Sequence, residues 1–368
     1  MPTPRDQQYR MPAEWDSHEA TWLSWPTDPD TFPPEIIDQV EEVYIQMIQA
    51  LREGEKVYVL VDDKKTQERI EKKMGIHPHV LYPCIKTQDV WIRDYGPTFV
   101  TQQGAPPPGP TKQGTQRTST KSYFRAGASR VPGLRTGMIP WHYNAYGEKY
   151  DELKADGHVP KAMNKILRLP TFEPDIIMEG GAIEVNGQGL CLTTEMCLLN
   201  KNRNPHLGQK NIEALLGDYL NVDRILWLKH GIVGDDTDGH IDNLARFVSP
   251  HKIVYCLEED PQDENYESLQ KNLSDLKTMS KGLNLEIIPL PMPGHVSNKK
   301  SGRLPASYAN FYIANEVVLV PLYHQPNDKR VLSLFSDLFP QRKIVGIHAT
   351  PLVWGFGSIH CVTQQQPA

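Results

Sequence analysis

The stretch Pro34–Val61, PEIIDQVEEVYIQMIQALREGEKVYVLV, joins two kinds of periodicity in one segment. Its first part, 34–53, opens on a proline and repeats apolar residues at helical spacing, which predicts an amphipathic helix. Its second part, Lys56–Val61, is a short valine-rich apolar run, which predicts a buried strand. A helix that leads directly into a strand is typical of an α/β fold.

The same alternation continues along the chain. Further helices are predicted at Lys64–Met74 and Glu264–Lys281. Further strands are predicted at Ile225–Lys229, Ile253–Leu257, Leu285–Leu290, Val317–Pro321 and Lys343–Ile347. The sequence therefore predicts an α/β fold built of short strands.

Polar residues recur at the predicted starts of strands. They are Asp94, Glu179, His240, Asn310 and Cys361. Their spacing is uneven and no sequence motif repeats, so the repeat signal is weak by the usual criteria. The pattern would suit a radial fold in which each unit delivers one residue to a central site.

We expect the chain of 368 residues to form one domain, 1–368, because closed α/β folds of this size often do. Residues 101–140 interrupt the pattern, since the stretch Gln103–Thr120 is rich in Pro, Gly, Ser and Thr. We expect a flexible insertion loop there. Both a lid over a pocket and a tolerated insertion fit this composition.

Composition narrows the class of protein. The net charge of −6 without a long basic run argues against a nucleic-acid partner and suits a small cationic substrate. We find no signal peptide and no apolar run long enough to span a membrane. Five scattered cysteines without a CxxC motif indicate free thiols and a cytoplasmic location.

Cys361 lies in the segment Trp354–Cys361, WGFGSIHC. The two glycines allow close backbone approach and unusual dihedral angles. Taken alone, the cysteine fits an inert core thiol as well as a nucleophile. Polar neighbours, among them His360 and Thr363, favour the nucleophile.

The segment Gly234–Asn243, GDDTDGHIDN, holds a second candidate group. In a strand, His240 and Asp242 would point to the same face. A histidine beside a carboxylate is a proton-transfer pair. Structural Asx turns are an alternative explanation for part of the aspartate run, which lacks the ligand spacing of a calcium loop.

Two further carboxylates stand beside turns. Asp94 precedes the Gly96-Pro97 turn, and Glu179 precedes the double glycine at 180–181. Taken singly, Asp94 fits an ion pair with Arg93, and Glu179 fits a solvated surface residue.

Together these residues fit chemistry on a guanidinium group. Carboxylates accept its paired N–H donors, and a thiolate is a suitable nucleophile for its carbon. A histidine can protonate the departing ammonia and then activate water. We predict no metal and no cofactor, because there is no HExxH motif and His77-x-His79 offers too few ligands for a zinc site.

Several motifs together resemble the agmatine deiminases, within the wider family that includes bacterial peptidylarginine deiminase-like proteins. They are Glu14–Trp22 (EWDSHEATW), Trp91–Thr98 (WIRDYGPT), Trp141–Gly147 (WHYNAYG), Glu179–Gly181 (EGG), Leu198–Pro205 (LLNKNRNP), Gly239–Asn243 (GHIDN), Ser307–Tyr312 (SYANFY) and Ile359–Gln365 (IHCVTQQ). The resemblance covers nearly the whole chain outside 101–140.

The resemblance implies a pentein-like fold, a five-bladed pseudo-fivefold α/β propeller with short mixed sheets around a central site. It implies that Cys361 is the nucleophile and His240 the general acid/base. It implies that Asp94 and Asp242 clamp the guanidinium and that Glu179 orients the histidine or the substrate. We also place Trp91 and Asp236 among the substrate-binding residues, with Asp235 and Asp236 as candidate contacts for an amine.

The implied reaction is hydrolysis of agmatine to N-carbamoylputrescine and ammonia through a covalent amidino-cysteine. Deimination of arginine or peptidylarginine is the closest alternative, followed by amidino transfer and by a non-catalytic binding protein on the same scaffold. The family also implies a homodimer. One departure concerns the substrate: Phe356 stands where the family usually has the middle of three glycines.

Overall fold

Helices and strands alternate along the chain. The computed structural model describes residues 2–103, 134–298 and 302–368. In these ranges the helices are α1 (Ile37–Leu51), α2 (Lys64–Met74), α3 (Ile92–Tyr95), α4 (Ala145–Glu148), α5 (Val159–Leu167), α6 (Glu195–Leu198), α7 (Gln209–Leu220), α8 (Tyr266–Met279), α9 (Asp328–Leu338) and α10 (Thr350–Val353). Short 3-10 helices lie at Arg5–Gln7, Asp151–His158, Gly180–Ala182 and Ile241–Asn243.

The strands are mostly short. They are β1 (Tyr9–Arg10), β2 (His18–Ser24), β3 (Lys56–Leu60), β4 (Val80–Leu81), β5 (Thr98–Gln103), β6 (Leu134–Ile139), β7 (Glu184–Val185), β8 (Leu190–Thr194), β9 (Arg224–Leu228), β10 (Ala245–Ser249), β11 (Lys252–Leu257), β12 (Glu286–Pro291), β13 (Ser297–Asn298), β14 (Gly302–Arg303), β15 (Tyr312–Ile313), β16 (Val317–Leu322), β17 (Lys343–His348) and β18 (Gln364–Pro367).

The predicted helices and strands are confirmed to within a few residues. The apolar stripe predicted for α1 is buried, including Val40, Tyr44 and Ile48, because an amphipathic helix covers its sheet with that face. Helix α2 begins where the Asp63 carboxylate accepts a hydrogen bond from the N–H of Thr66 at 2.8 Å, as an N-cap does.

Five sheets of three or four strands and one two-stranded ribbon form within the described residues. Four of the sheets share one plan, in which an antiparallel pair continues into a parallel strand. Their strand orders are β7-β8-β9, β10-β11-β12, β15-β16-β17 and β18-β2-β3-β4. In the fifth sheet, β1-β5-β6, parallel bridges such as Met138 to Thr171 follow the antiparallel β5–β6 pair. The chain is thus a mixed α/β fold of short mixed sheets, as predicted.

In each of the five larger sheets, one polar residue precedes a strand of the antiparallel pair. Asp94 precedes β5, Glu179 precedes β7, His240 precedes β10, Asn310 precedes β15 and Cys361 precedes β18. These residues lie in turns or single-turn helices rather than at strand starts. The prediction of a strand at 240–242 was therefore wrong, because Ile241–Asn243 is a 3-10 helix and β10 begins only at Ala245.

The two ends of the chain share a sheet. Strand β18 pairs antiparallel with β2, with Gln364 opposite Trp22, and the indole N–H of Trp22 donates to the Gln366 side chain at 2.9 Å. This pairing fixes the segment immediately after Cys361. The nucleophile candidate is therefore held by the closing strand of the fold.

The interruption at 101–140 is partly regular structure. Strands β5 and β6 occupy its ends and pair from Thr98 with Ile139 to Gln103 with Leu134. The prediction of a loop was wrong for these residues, whereas its central part, 104–133, lies outside the described residues. No helix in the described ranges is long and apolar enough to cross a membrane.

Candidate active site

A pocket of about 870 Å³, including its open mouth, leads to Cys361. Its lining residues come from segments that lie far apart in the sequence. They are Asp28, Asp30, Thr31, Asp89, Trp91, Asp94, Tyr146, Tyr150, Glu152, Leu153, Asp236, Thr237, Trp354, Gly355, Phe356, Gly357 and Cys361. Six of these side chains are carboxylic acids, and none in this described lining is Lys, Arg or His. The pocket therefore suits a cation.

The Cys361 side chain is 5% exposed and lies among polar groups. Its sulfur lies 3.8 Å from Oδ2 of Asp242 and 3.2 Å from the side-chain nitrogen of Asn310. Burial, with the negative charges of Asp242 and Asp94, raises the pKa of the thiol well above its ordinary value. A cation in the pocket would oppose that shift.

Both carboxylate oxygens of Asp94 accept a hydrogen bond. Oδ1 accepts from the N–H of Gly181 at 2.9 Å, and Oδ2 accepts from the hydroxyl of Tyr146 at 2.9 Å. Burial raises the pKa of Asp94 to about 6, and the nearby Asp242 carboxylate adds to the shift. The fixed orientation directs this carboxylate into the pocket floor.

His240 is fully buried beside Asp94. Its Nδ1 lies 3.7 Å from Oδ1 of Asp94, and neither ring nitrogen has a hydrogen-bond partner of good geometry among the described residues. Burial lowers the pKa of His240, but the Asp94 charge and the neighbouring Cys197 and Glu179 raise it, so the pKa lies well above its ordinary value. The imidazole is thus available to a reacting group in its protonated form.

Asp242 pairs with a different histidine from the one that the sequence suggested. Its Oδ2 accepts from Nδ1 of His360 at 2.8 Å, while its Oδ1 is buried without a partner among the described residues. Burial would raise the pKa of Asp242, but the hydrogen bond and charge of His360 lower it below its ordinary value. The expected His240–Asp242 proton-transfer pair is therefore wrong, because the 3-10 helix directs Asp242 toward His360.

Glu179 is buried and tied to a loop of the site. Its Oε1 accepts from Nε of Arg203 at 2.9 Å, and Oε2 has no partner among the described residues. Arg203 also donates to the carbonyl of Thr237 at 3.0 Å. This arginine therefore fixes Glu179 against the loop that carries His240.

Glu179, Cys197 and His240 bring potential metal ligands together. One ligand atom from each lies within 4.8 Å of the other two. By composition this trio could hold a transition metal. The guanidinium of Arg203, paired with Glu179 at 2.9 Å, adds a positive charge that opposes a cation here.

The glycines of the site are required by close approach. A Cβ on Gly181 would lie 2.5 Å from Nδ1 of His240 and 2.8 Å from Oδ1 of Asp94. A Cβ on Gly357 would lie 2.3 Å from the ring of Trp91. The missing side chain of Gly181 therefore leaves room for His240 and Asp94, and the missing side chain of Gly357 lets the ring of Trp91 pack against the backbone.

The rim of the pocket carries Asp236, whose carboxylate accepts a hydrogen bond from the hydroxyl of Tyr150. Burial raises the pKa of Asp236, so a bound ammonium would favour its ionised form. Asp235, by contrast, accepts from the N–H groups of Thr237 (2.9 Å) and His240 (3.2 Å). It forms the Asx turn that the aspartate run suggested.

This geometry can be compared with known proteins. The profile of the Porphyromonas-type peptidyl-arginine deiminase family matches residues 10–367. The chain belongs to this family.

Relatives of this deiminase family cover the full length of the chain. A Medicago truncatula protein named agmatine deiminase is 33% identical over 392 residues, which cover 100% of this chain and 98% of the relative. The structure of the agmatine deiminase of Enterococcus faecalis has a TM-score of 0.85 at 31% identity, covering 100% of this chain and 98% of that one. The C. jejuni agmatine deiminase has a TM-score of 0.81 at 28% identity, covering 98% and 97%. The family resemblance predicted from the motifs is confirmed.

The predicted site residues fall into two layers. Cys361, Asp94, Trp91 and Asp236 line the open pocket. The others, His240, Asp242 and Glu179, are fully buried behind its floor. The two layers meet at Gly181, where a Cβ would lie within 3.1 Å of Asp242 as well.

Sequence reasoning missed several residues that shape this deiminase-family site. They are Glu14, Tyr146, Gly181, Cys197, Arg203, Asn310 and His360. Most lie inside the family motifs, next to residues that were singled out. Asn310 also belonged to the series of polar residues before strands. No sequence pattern indicated which of these residues contact the sulfur of Cys361 or the carboxylates of Asp94, Asp242 and Glu179.

Proposed function

We propose that this protein is an agmatine deiminase that hydrolyses agmatine to N-carbamoylputrescine and ammonia, with Cys361 as the nucleophile. The observation that carries the proposal is a cluster at the floor of an acidic pocket and directly behind it. One thiol and one carboxylate line the floor, and a second carboxylate and an imidazole without a hydrogen-bond partner among the described residues lie behind it. The family membership and the names of the full-length relatives support the same reaction.

The guanidinium binds between the carboxylates of Asp94 and Asp242. Asp94 is oriented by Tyr146 and Gly181, and Asp242 keeps Oδ1 free because His360 occupies Oδ2. A planar cation held by fixed carboxylates presents its carbon to the sulfur, which lies 3.8 Å from Asp242. Positioning of this kind supplies a large part of catalysis.

Binding of the cation prepares the nucleophile. Burial and two carboxylates raise the pKa of Cys361, so the thiol keeps its proton when no cation lies beside it. The guanidinium places positive charge beside the sulfur and favours loss of its proton to water. The thiolate is thus formed where a substrate is present.

His240 carries the protons of the reaction. The thiolate forms a C–S bond to the guanidinium carbon, and the imidazolium protonates one nitrogen, which leaves as ammonia. The neutral imidazole then takes a proton from water as that water forms the new C–O bond. The C–S bond then breaks, the sulfur keeps its electron pair, the remaining O–H proton passes to solvent as the C=O bond forms, and the ureido product leaves. The charge of Asp94, the contact with Cys197 and the charge of Glu179 raise the pKa of His240.

The pocket favours agmatine over arginine. Agmatine ends in an ammonium group, whereas arginine carries a carboxylate that needs a cationic partner. Asp236 and Glu152, which both line the pocket, supply negative charge, and the described lining holds no Lys or Arg. Trp91 forms a flat wall for the aliphatic chain, fixed by its indole N–H bond to Asp89 at 2.8 Å.

A side-by-side assay of ammonia release from agmatine, arginine and an arginine-containing peptide tests the proposal. Release from agmatine with formation of a ureido product is expected. Release only from arginine or the peptide would keep the chemistry and replace the substrate. Formation of a substituted guanidine from an added amine, in place of the ureido product, would indicate amidino transfer. No ammonia release from any of the three compounds would indicate a different guanidine substrate or a binding protein.

We also propose that residues 1–368 form a single domain, a five-bladed pseudo-fivefold propeller of the pentein type. Five sheets, each introduced by one polar residue of the site region, support this arrangement. A cytoplasmic location is supported by five cysteines that are all free. The homodimer stays a prediction from the family resemblance.

A further inference from the structure

The side chain of Asn310 lies beside the sulfur of Cys361 in a fixed orientation. Its Oδ1 accepts hydrogen bonds from the backbone N–H groups of His360 at 2.9 Å and of Cys361 at 3.3 Å. Because the oxygen is the only acceptor of an amide side chain, these donors turn the NH2 group away from themselves. That group lies 3.2 Å from the sulfur.

A second contact holds the NH2 group in place. It also donates to Oδ1 of Asn243 at 3.0 Å, a residue of the 3-10 helix that carries Asp242. Asn310 is fully buried, so its two amide hydrogens are directed to Asn243 and to Cys361 rather than to bulk water.

Loss of the thiol proton changes which contacts the sulfur can make. The thiol can donate to Oδ1 of Asn310 at 3.5 Å or to Oδ2 of Asp242 at 3.8 Å. A thiolate only accepts, so both of these contacts become unfavourable. Among the described residues, the NH2 group of Asn310, at 3.2 Å, is then the side-chain donor that remains beside the sulfur.

We propose that Asn310 is a further catalytic residue, whose amide donates a hydrogen bond to the sulfur of Cys361 while that sulfur carries negative charge. It acts before the C–S bond forms and again when that bond breaks, and it transfers no proton. The inference rests on Cys361 being the nucleophile of the proposed function. It does not depend on which guanidinium compound is the substrate.

Two substitutions separate this role from a structural one. Asn310→Asp keeps an oxygen for the two backbone N–H groups but replaces the donor with a second oxygen. Asn310→Ala removes both. The alanine variant tests the hydrogen bond without adding charge, because a purely structural role would leave its thiol pKa unchanged. The aspartate variant also places a carboxylate beside the sulfur, which by itself raises the thiol pKa. The proposal requires the fraction of Cys361 that is present as thiolate to fall in both variants. A hydrogen bond to an ion changes such an ionisation equilibrium by roughly 10- to 100-fold.

The readout is the pH dependence of alkylation of Cys361 by iodoacetamide, followed by peptide mass spectrometry that separates it from the exposed Cys84. We expect the half-maximal pH to rise by about one to two units in both variants. We expect kcat/KM for agmatine to fall roughly 10- to 100-fold in both.

Asn272→Ala is the matched control. Asn272 is also buried, and its Oδ1 accepts from two consecutive backbone N–H groups, those of Lys229 at 3.0 Å and His230 at 3.2 Å. Its nitrogen donates to a carbonyl, that of His230 at 2.7 Å, and not to sulfur. This variant is expected to unfold at a lower temperature and to keep the wild-type alkylation curve.

If the alanine variant does not fold, Asn310→Leu, which keeps the volume and adds no charge, takes its place, and the aspartate variant can still overturn the proposal. An unchanged alkylation curve in Asn310→Asp, with unchanged kcat, would overturn the role of Asn310. A wild-type protein that releases no ammonia from any guanidine would overturn the proposed function, and the alkylation curves would still decide on Asn310.

Discussion

Nδ1 of His360 lies 2.8 Å from Oδ2 of Asp242, and Nε2 of the same ring lies 2.8 Å from Oε2 of Glu14. Both partners are carboxylates, so the ring donates to both only when both nitrogens carry hydrogen. Glu14 is itself held by Arg246 at 2.8 Å. A chain of buried acidic and basic side chains therefore supports Asp242 from behind, and its other oxygen has no partner among the described residues.

Replacing His360 should weaken substrate binding. In His360→Gln one side chain can no longer bridge Asp242 and Glu14, so Asp242 gains freedom to turn. We expect kcat/KM for agmatine to fall by at least roughly 30-fold, since breaking one side of a buried charged pair costs about 2–5 kcal/mol. Steady-state kinetics with separate KM and kcat values measure this.

The control is His18→Gln, which removes a buried histidine that lies 3.2 Å from Glu55. Both variants should unfold at lower temperature, but only His360→Gln should lose activity. Equal kcat/KM in the two variants would show that His360 is merely structural.

Gly181→Ala should inactivate the enzyme. The new methyl carbon would lie 2.5 Å from Nδ1 of His240 and 2.8 Å from Oδ1 of Asp94, so these groups must move. A displacement of about 1 Å in a catalytic group costs roughly 100-fold in rate. Gly157→Ala is the control, because its Cβ meets nothing nearer than 3.9 Å. Near-wild-type kcat in Gly181→Ala would contradict the floor geometry.

The activity should decline in acid. Burial raises the pKa of Asp94 to about 6, so the carboxyl is neutral below that pH and no longer clamps a cation. The thiol of the free enzyme has a raised pKa, so kcat/KM, which reports the free enzyme, already declines as the pH falls toward about 7. We expect the decline to steepen by about a further tenfold per pH unit below about 6. A slope that stays the same between about pH 7 and 5 would be inconsistent with Asp94 as a clamp.

The raised pKa of Asp94 affects the stability of the fold in the opposite direction from its effect on activity. The pKa of Asp94 is higher in the folded protein than its ordinary value, so the folded state binds the proton more tightly. The contribution of this carboxyl to stability is therefore present at acid pH and is lost as the pH rises through about 6.

Phe356 should restrict the range of substrates. It lines the pocket and has φ +71°, a left-handed conformation that favours glycine. Phe356→Gly should raise kcat/KM for an arginine-containing peptide relative to agmatine by roughly tenfold, because the wall is removed. Phe356→Ala removes the same ring but keeps a Cβ, and it should be less stable than the glycine variant by about 1 kcal/mol. An unchanged substrate ratio would exclude Phe356 as the limiting wall.

The sequence predicted the elements well because their periodicity is local. Helix α1 and strand β3 appear where the spacing of apolar residues placed them. The prediction was wrong at 240–242, where apolar and polar residues alternate as in a strand but the chain forms a 3-10 turn. Alternation over so few residues does not distinguish a strand from a turn.

The site was predictable in its residue types but not in its pairings. The motifs drew attention to Cys361, His240, Asp94, Asp242 and Glu179. No sequence pattern indicates that Asp242 pairs with His360, or that Arg203 holds Glu179, because these contacts join segments distant in the chain. Likewise, Asn310 was noted as a polar residue before a strand, but its contact with sulfur depends on the tertiary fold.

The most direct test is rapid-quench mass spectrometry of the intact protein mixed with agmatine. A transient species heavier by the mass of agmatine less ammonia is expected, located on the peptide that contains Cys361. Cys361→Ser should fold, form no such species and release no ammonia. Turnover of agmatine without an adduct, together with substantial turnover by Cys361→Ser, would contradict covalent catalysis by this cysteine.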